Sequence, residues 1–262
     1  MRASPFLIGV SLKMYFSHAR TLDWCRAVAA CIEPAVSAGE AEFFVMPSYL
    51  SVPAAREILD GLAAVGPQDL ATDDTGPFTG EVSGAQIAEF GCTVVEVGHA
   101  ERRRLFGETD EIVRLKVDAA LRNSLTPVLC VGEAERQDPR DAAADCIRQV
   151  DDALSLARER VNGNRVIVAY EPFWAIGAAQ PASPDHIRAV CSQLRAHVRS
   201  LADFPDSAVI YGGSAGPGLL TQIAESVDGL FLGRFAHDVS AVGLILDEVR
   251  AIFAGASAPR RP

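Results

Sequence analysis

Val168-Ala169-Tyr170-Glu171-Pro172-Phe173-Trp174-Ala175-Ile176-Gly177 runs from an apolar, β-branched segment straight into a proline-started loop. The segment before it, Arg165-Val166-Ile167-Val168-Ala169-Tyr170, has the unbroken apolar character of a parallel strand covered on both faces. It delivers a single carboxylate, Glu171, at its C-terminal end, under Phe173, Trp174 and Ile176. Desolvation raises a carboxylate's pKa toward neutrality, which suits it to strip a proton from carbon. Taken alone, a strand-end glutamate is more often a surface residue paired with an arginine, so the rest of the chain has to decide.

Outward from this stretch the same grammar repeats. Short β-branched runs at Phe6 to Leu12, Glu42 to Met46, Gln68 to Thr72, Thr93 to Val97, Thr126 to Val131, Arg165 to Tyr170, Ala208 to Tyr211 and Gly229 to Leu232 alternate with longer helical patterns. Eight strands, each followed by a helix, imply a parallel sheet with crossover helices, and a closed (β/α)8 barrel is the natural solution. The rival, an open doubly wound sheet, lacks its Gly-x-Gly-x-x-Gly fingerprint after the first strand. Helix starts are marked by Thr109 before Asp110-Glu111 and by Ser183-Pro184. With no linker or repeat, 262 residues read as one α/β domain over 1–254 and a small, proline-containing tail over 255–262.

Composition narrows the classes of function. A formal net charge of -10 argues against sequence-independent nucleic-acid binding, which needs clustered cations, and requires any anionic substrate to meet local positive potential. Six cysteines lie scattered without Cys-x-x-Cys or metal-ligand spacing, so reduced thiols, no metal and a cytoplasmic location are expected. Neither a signal peptide nor an 18-residue apolar span is visible, which predicts a protein that does not engage the membrane.

Three further strand ends carry chemistry. Ile8-Gly9-Val10-Ser11-Leu12-Lys13-Met14 ends in a lysine, and Val94-Val95-Glu96-Val97-Gly98-His99-Ala100-Glu101-Arg102-Arg103 brings a histidine to another end. Val209-Ile210-Tyr211-Gly212-Gly213-Ser214-Ala215-Gly216 and Gly229-Leu230-Phe231-Leu232-Gly233-Arg234 end in glycine turns. In order along the chain, from about Phe6 to about Phe253, these segments resemble the signatures of the triosephosphate isomerase family. The resemblance implies a TIM barrel whose mouth gathers Lys13, His99 and Glu171. It implies that Lys13 and His99 polarise a carbonyl while Glu171 moves a proton between adjacent carbons, with no cofactor. The family is itself the standard case of a histidine kept neutral by a helix N-terminus, and a helix opening at Ala100 would do this for His99. Glu101 matches the carboxylate that pairs with the lysine, though a helix-terminal charge is an equal reading.

Phosphate recognition follows from the same match. Gly212-Gly213-Ser214 and Gly233-Arg234 stand where a barrel offers backbone N–H groups to a dianion, Gly177 would add another once its loop closes, and Tyr211 matches the residue that latches that loop. Gly76-Pro77-Phe78-Thr79-Gly80-Glu81 resembles the family's dimer loop, so Phe78 and Thr79 imply a homodimer. Cys130 matches a family position and reads as a buried structural thiol.

Departures from the usual pattern bear on the substrate. Ser11-Leu12-Lys13 stands for Asn-Trp-Lys, Ala100 for serine, Gly177-Ala178-Ala179-Gln180 for Gly-Thr-Gly-Lys, and Gly233-Arg234 for Gly-Gly. Losing an amide at Ser11 and an indole at Leu12 is expected to open volume beside the reacting carbons, which favours a longer sugar phosphate. The reading that fits best is a branch interconverting L-erythrulose 1-phosphate and D-erythrulose 4-phosphate; the alternative is triosephosphate isomerase itself. A non-catalytic scaffold would not need all three of Lys13, His99 and Glu171, and a Schiff-base aldolase would need an apolar setting for Lys13.

Overall fold

Short, largely apolar runs form eight parallel strands, and the amphipathic stretches between them form the helices that cover the sheet. The computed structural model describes residues 5–159, 165–178 and 180–257. Along the chain lie β1 (Phe6–Ser11), α1 (His18–Ser37), β2 (Ala41–Met46), α2 (Val52–Ile58), β3 (Ala64–Val65), α3 (Gly84–Glu89) and β4 (Val94–Val97). There follow α4 (Ala100–Phe106), α5 (Asp110–Arg122), β5 (Thr126–Val131), α6 (Pro139–Leu154), β6 (Ile167–Tyr170), α7 (Pro184–Arg199), β7 (Ala208–Tyr211), α8 (Leu220–Ile223), β8 (Gly229–Leu232) and α9 (Val239–Ser257). The expected caps are present: Thr109 Oγ1 accepts from Ile112 N, and Ser183 Oγ accepts from His186 N ahead of Pro184.

Strand order is β3-β2-β1-β8-β7-β6-β5-β4, all parallel. The seam between β3 and β4 carries no ladder among the described residues but is bridged by Glu96 N donating to Pro67 O at 3.1 Å. Gly66 presses so closely on this seam that a Cβ there would lie 1.6 Å from the Val94 carbonyl oxygen. The barrel is thus nearly closed. Period-two alternation divides its core in two. Leu7, Phe44, Met46, Val94, Val128, Ile167 and Ile210 fill the interior, while the residues between them pack outward against the helices.

The third strand is not where the sequence suggested. Gln68 to Thr72 forms no strand, and the two-residue β3 lies just before it. The segment spends its polar groups on tying loops together: Gln68 Nε2 donates to Lys13 O and Met46 O, and Tyr49 Oη donates to Asp69 O. At the C-terminal end, α9 continues through Ser257, past the expected start of a tail, and residues 258–262 lie outside the described residues. No described helix is long and apolar enough to cross a membrane.

Asp69 also anchors a buried ion cluster. Lys116 Nζ lies 2.6 Å from Asp69 Oδ1 and 2.6 Å from Glu108 Oε1, and Arg102 bridges the same two carboxylates. Removing one cation from such a cluster strands buried anions, which costs about 3 to 5 kcal/mol. Lys116→Met is therefore expected to lower stability by about 3 kcal/mol, read as a lower urea midpoint at unchanged slope.

Candidate active site

Ser11, Glu96, Cys130, Glu171, Gly212 and Gly233 follow the inward parity of their strands at the C-terminal end of the barrel. Above them opens a cavity of about 640 Å³, within the range of small-molecule sites. Lys13, His99, Glu101 and Glu171 all line it, so the barrel brings together side chains far apart in sequence. Lys13 sits just past β1 in a left-handed backbone conformation, φ 49°, which an L-residue adopts only at a cost. Its Nζ lies 2.7 Å from Glu101 Oε1. Burial alone would lower the lysine's pKa, but the Glu101 bond and the charges of Glu171, Glu101 and Glu96 outweigh it, so the amine stays cationic. A Schiff-base role is unsupported by that environment.

His99 is the N-cap of α4, and its Nδ1 accepts from Glu101 N at 3.1 Å. That bond fixes the tautomer with the proton on Nε2, which faces the cavity and Glu171. Burial, then the charge of Lys13, lowers the imidazole's pKa to about 4, so the ring is neutral. The helix contributes the hydrogen bond, while desolvation leads the shift.

Glu171 is 4% exposed, and burial first, then the charge of Glu96, pushes its pKa up to about 8. Its Oε2 lies 3.4 Å from His99 Nε2 and has no hydrogen-bond partner among the described residues. Glycine at 212 is required by this placement, since a Cβ there would come within 2.6 Å of Glu171 Oε1. The cover loop begins as a single 3-10 turn, Phe173–Ala175. It is held by Trp174 Nε1 donating to Glu133 Oε1 at 2.8 Å, Ser214 Oγ donating to Ala175 O at 2.8 Å, and Arg234 Nη2 donating to Gly177 O at 3.1 Å. Further along, Tyr211 Oη accepts from Ala182 N and donates to Gly213 O.

Gly177, Ser214, Gly233 and Arg234 line the cavity together with Lys13, His99 and Glu171, whereas Gly213 and Tyr211 do not; Tyr211 holds the loop at Ala182 instead. Phe78 and Thr79 are exposed and away from the cavity. Ala179 of the loop tip lies outside the described residues. One expectation fails: Leu12 is 1% exposed and packs into the shell between barrel and helices, so it opens no volume in the site. Behind Ser11 lies the Glu96 carboxylate, whose Oε2 accepts from Ser11 Oγ at 2.8 Å. Sequence reading overlooked Glu96, Glu133 and Arg104. A charged residue inside the run Val94-Val95-Glu96-Val97 was the available signal.

An eight-stranded α/β barrel with a desolvated carboxylate, a neutral imidazole and a lysine around one cavity is an enzyme of carbonyl and proton-transfer chemistry. The model of the triosephosphate isomerase family matches residues 6–249, and the chain belongs to that family. It is 48% identical over 251 residues to an L-erythrulose-1-phosphate isomerase of Pectobacterium atrosepticum, covering 95% of this chain and 97% of that one. A protein of the same description from Brucella abortus is 38% identical over 90% of this chain and 93% of its own. A probable triosephosphate isomerase 2 of Listeria monocytogenes is 34% identical over 88% and 92%.

A carboxyl whose pKa is raised by folding contributes stability that is complete below the unfolded value, near 4.5, and lost as pH rises through about 8. Glu171→Gln abolishes that loss. At pH 9 the variant is expected to melt about 2 °C or more above wild type, the effect of roughly 1 kcal/mol in a chain of this size. At pH 5 the two should melt together, as differential scanning calorimetry would check.

Proposed function

We propose that this enzyme isomerises a short sugar phosphate through an enediolate, and that its substrate pair is L-erythrulose 1-phosphate and D-erythrulose 4-phosphate. The observation that carries the substrate is the 48% identity, over nearly the whole of both chains, to an L-erythrulose-1-phosphate isomerase. The observation that carries the chemistry is Glu171, buried beside a neutral His99 and a cationic Lys13 in one cavity.

In this reading Glu171 takes the proton from the carbon next to the carbonyl and returns it to the neighbouring carbon. Its raised pKa brings it close to the basicity that such a transfer needs. His99 Nε2–H donates to the carbonyl oxygen, and a neutral imidazole can pass protons between the two enediolate oxygens. Lys13 balances the developing negative charge, and Glu101 holds its ammonium in place. Phosphate lies against the backbone of Gly177, Ser214 and Gly233, with Gly213 setting the turn. Open space around the Cα of Gly233 leaves room for a dianion to approach. Arg234 adds side-chain charge there, and Tyr211 steadies the far end of the cover loop.

When the carbon receiving the base carries a hydroxymethyl group, this chemistry moves a ketone from C2 to C3 of a ketotetrose phosphate. Atoms and electrons balance without a cofactor, because one carbon is oxidised as its neighbour is reduced. The exposed loop bearing Phe78 and Thr79, with exposed Met14, Tyr15 and Leu50, supports a homodimer. Six free thiols support a reducing, cytoplasmic setting. The second reading, triosephosphate isomerase, is favoured by the relatives bearing that description at 34% identity.

Turnover of the two erythrulose phosphates is expected to exceed that of glyceraldehyde 3-phosphate and dihydroxyacetone phosphate at least tenfold in kcat/KM, about 1.4 kcal/mol of transition-state discrimination. A wide preference for the trioses would leave the second reading standing. Glu171→Asp, which retracts the carboxylate by one methylene, should lower kcat by about 10²-fold or more with little change in KM. Steady-state kinetics on the preferred substrate would check it.

A further inference from the structure

Glu96 has no part in the reaction as described, yet it is buried at the floor of the same site. It lies on β4 with the inward parity of Val94 and is 2% exposed. A carboxylate in the interior of an otherwise apolar barrel costs free energy unless it is hydrogen-bonded, so its presence calls for a use. Its partner is Ser11 at the end of β1, whose Oγ donates to Glu96 Oε2 at 2.8 Å. Ser11 is itself 3% exposed and lines the cavity; Glu96 lies behind it.

The direction of this bond decides what Ser11 can recognise. A serine hydroxyl has one proton and two lone pairs, and here the proton is committed to a carboxylate, which can only accept when ionised. Toward the cavity Ser11 therefore presents lone pairs. A carbonyl or enediolate oxygen brings no proton to such a group. A substrate hydroxyl does. The amide usual at this position in the family has N–H donors to offer, so Ser11 backed by Glu96 reverses the polarity of this wall. Lys13, His99 and Glu171 line the same cavity, and a triose phosphate has no hydroxymethyl group beyond its reacting carbons to spend on the acceptor.

We infer that Ser11 and Glu96 form a specificity dyad, in which Glu96 positions the Ser11 hydroxyl to accept a hydrogen bond from the terminal hydroxymethyl group of a ketotetrose phosphate. The inference rests on the ketotetrose reading above and assigns the discrimination to named residues. Glu96 is a positioning residue that acts through Ser11. A site whose polar group is left unpaired by the shorter substrate rejects it more strongly than an apolar pocket of the same size would.

The test compares kcat/KM for L-erythrulose 1-phosphate with that for dihydroxyacetone phosphate in wild type, Ser11→Ala, Glu96→Leu and Glu96→Gln. Ser11→Ala and Glu96→Leu are expected to lower the tetrose-to-triose ratio at least tenfold. Glu96→Gln keeps an oxygen that can accept from Ser11 and should hold the ratio within about threefold of wild type. A merely structural role for Glu96 would lower both substrates in step and leave the ratio untouched, which would overturn the inference. So would a ratio lost equally in Gln and Leu variants. Ser11→Ala decides the matter by itself if Glu96→Leu does not fold. Failure of the ketotetrose reading is seen separately, as a wild-type ratio below one.

Discussion

The site depends on one constraint: the Glu171 carboxylate is held out of water with one oxygen left bare. Burial of that group is unfavourable and is tolerated only because the barrel around it is rigid and nearly closed. Its neighbours are chosen to fit. Gly212 yields the space that any side chain would occupy, and the cover loop starts at the very next residue. A second carboxylate close by is treated in the opposite way. Glu133, 0% exposed, accepts from Tyr170 Oη with both oxygens at 3.1 Å and from Trp174 Nε1. A fully satisfied carboxylate is a scaffold, whereas an unsatisfied one suits the role of base proposed for Glu171. The two differ in hydrogen bonding far more than in burial.

Charge at the mouth is balanced locally against a chain of net charge -10. Glu96, Glu101 and Glu171 surround Lys13, and their combined field keeps the ammonium charged despite its burial. The same lysine, by its charge, helps to keep His99 neutral. The geometry of that cation is fixed by a strained backbone at φ 49° and by the bond to Glu101. Arg104 and Arg234 add positive potential at the rim, where an anionic substrate must enter.

Much of this was legible in sequence, for physical reasons. Strands buried on both faces leave continuous apolar runs, and a residue at the end of such a run has only the mouth to face, which is why Lys13, His99 and Glu171 could be placed together. The third strand was misplaced because the apolar pair Leu70-Ala71 reads like the middle of a short strand, while the polar side chains before it serve tertiary hydrogen bonds that no local pattern displays. Leu12 was misjudged because parity was not carried one residue past Ser11, which turns it outward into the shell. Glu96 was passed over although parity with Val94 sends it inward, where a charge demands a partner. Its partner is 85 residues away, on β1, and only the closed barrel brings the two together.

The loop over the site is tied at points that read different parts of the reaction. Trp174 is bound through Glu133 to Tyr170, the residue before the base, and His186 of α7 lies 3.0 Å from the same tyrosine hydroxyl. Ser214, also left-handed at φ 57°, holds the loop at Ala175 and Ala178 from the turn proposed to bind phosphate. Arg234 holds it at Gly177 from the next turn. A dianion seated between those turns would act on the same residues that hold the loop, so in this reading phosphate binding and the position of the loop over Glu171 would be coupled. Binding energy from a group that does not react would thereby be delivered to the atoms that do, beside a Glu171 oxygen that is already out of water.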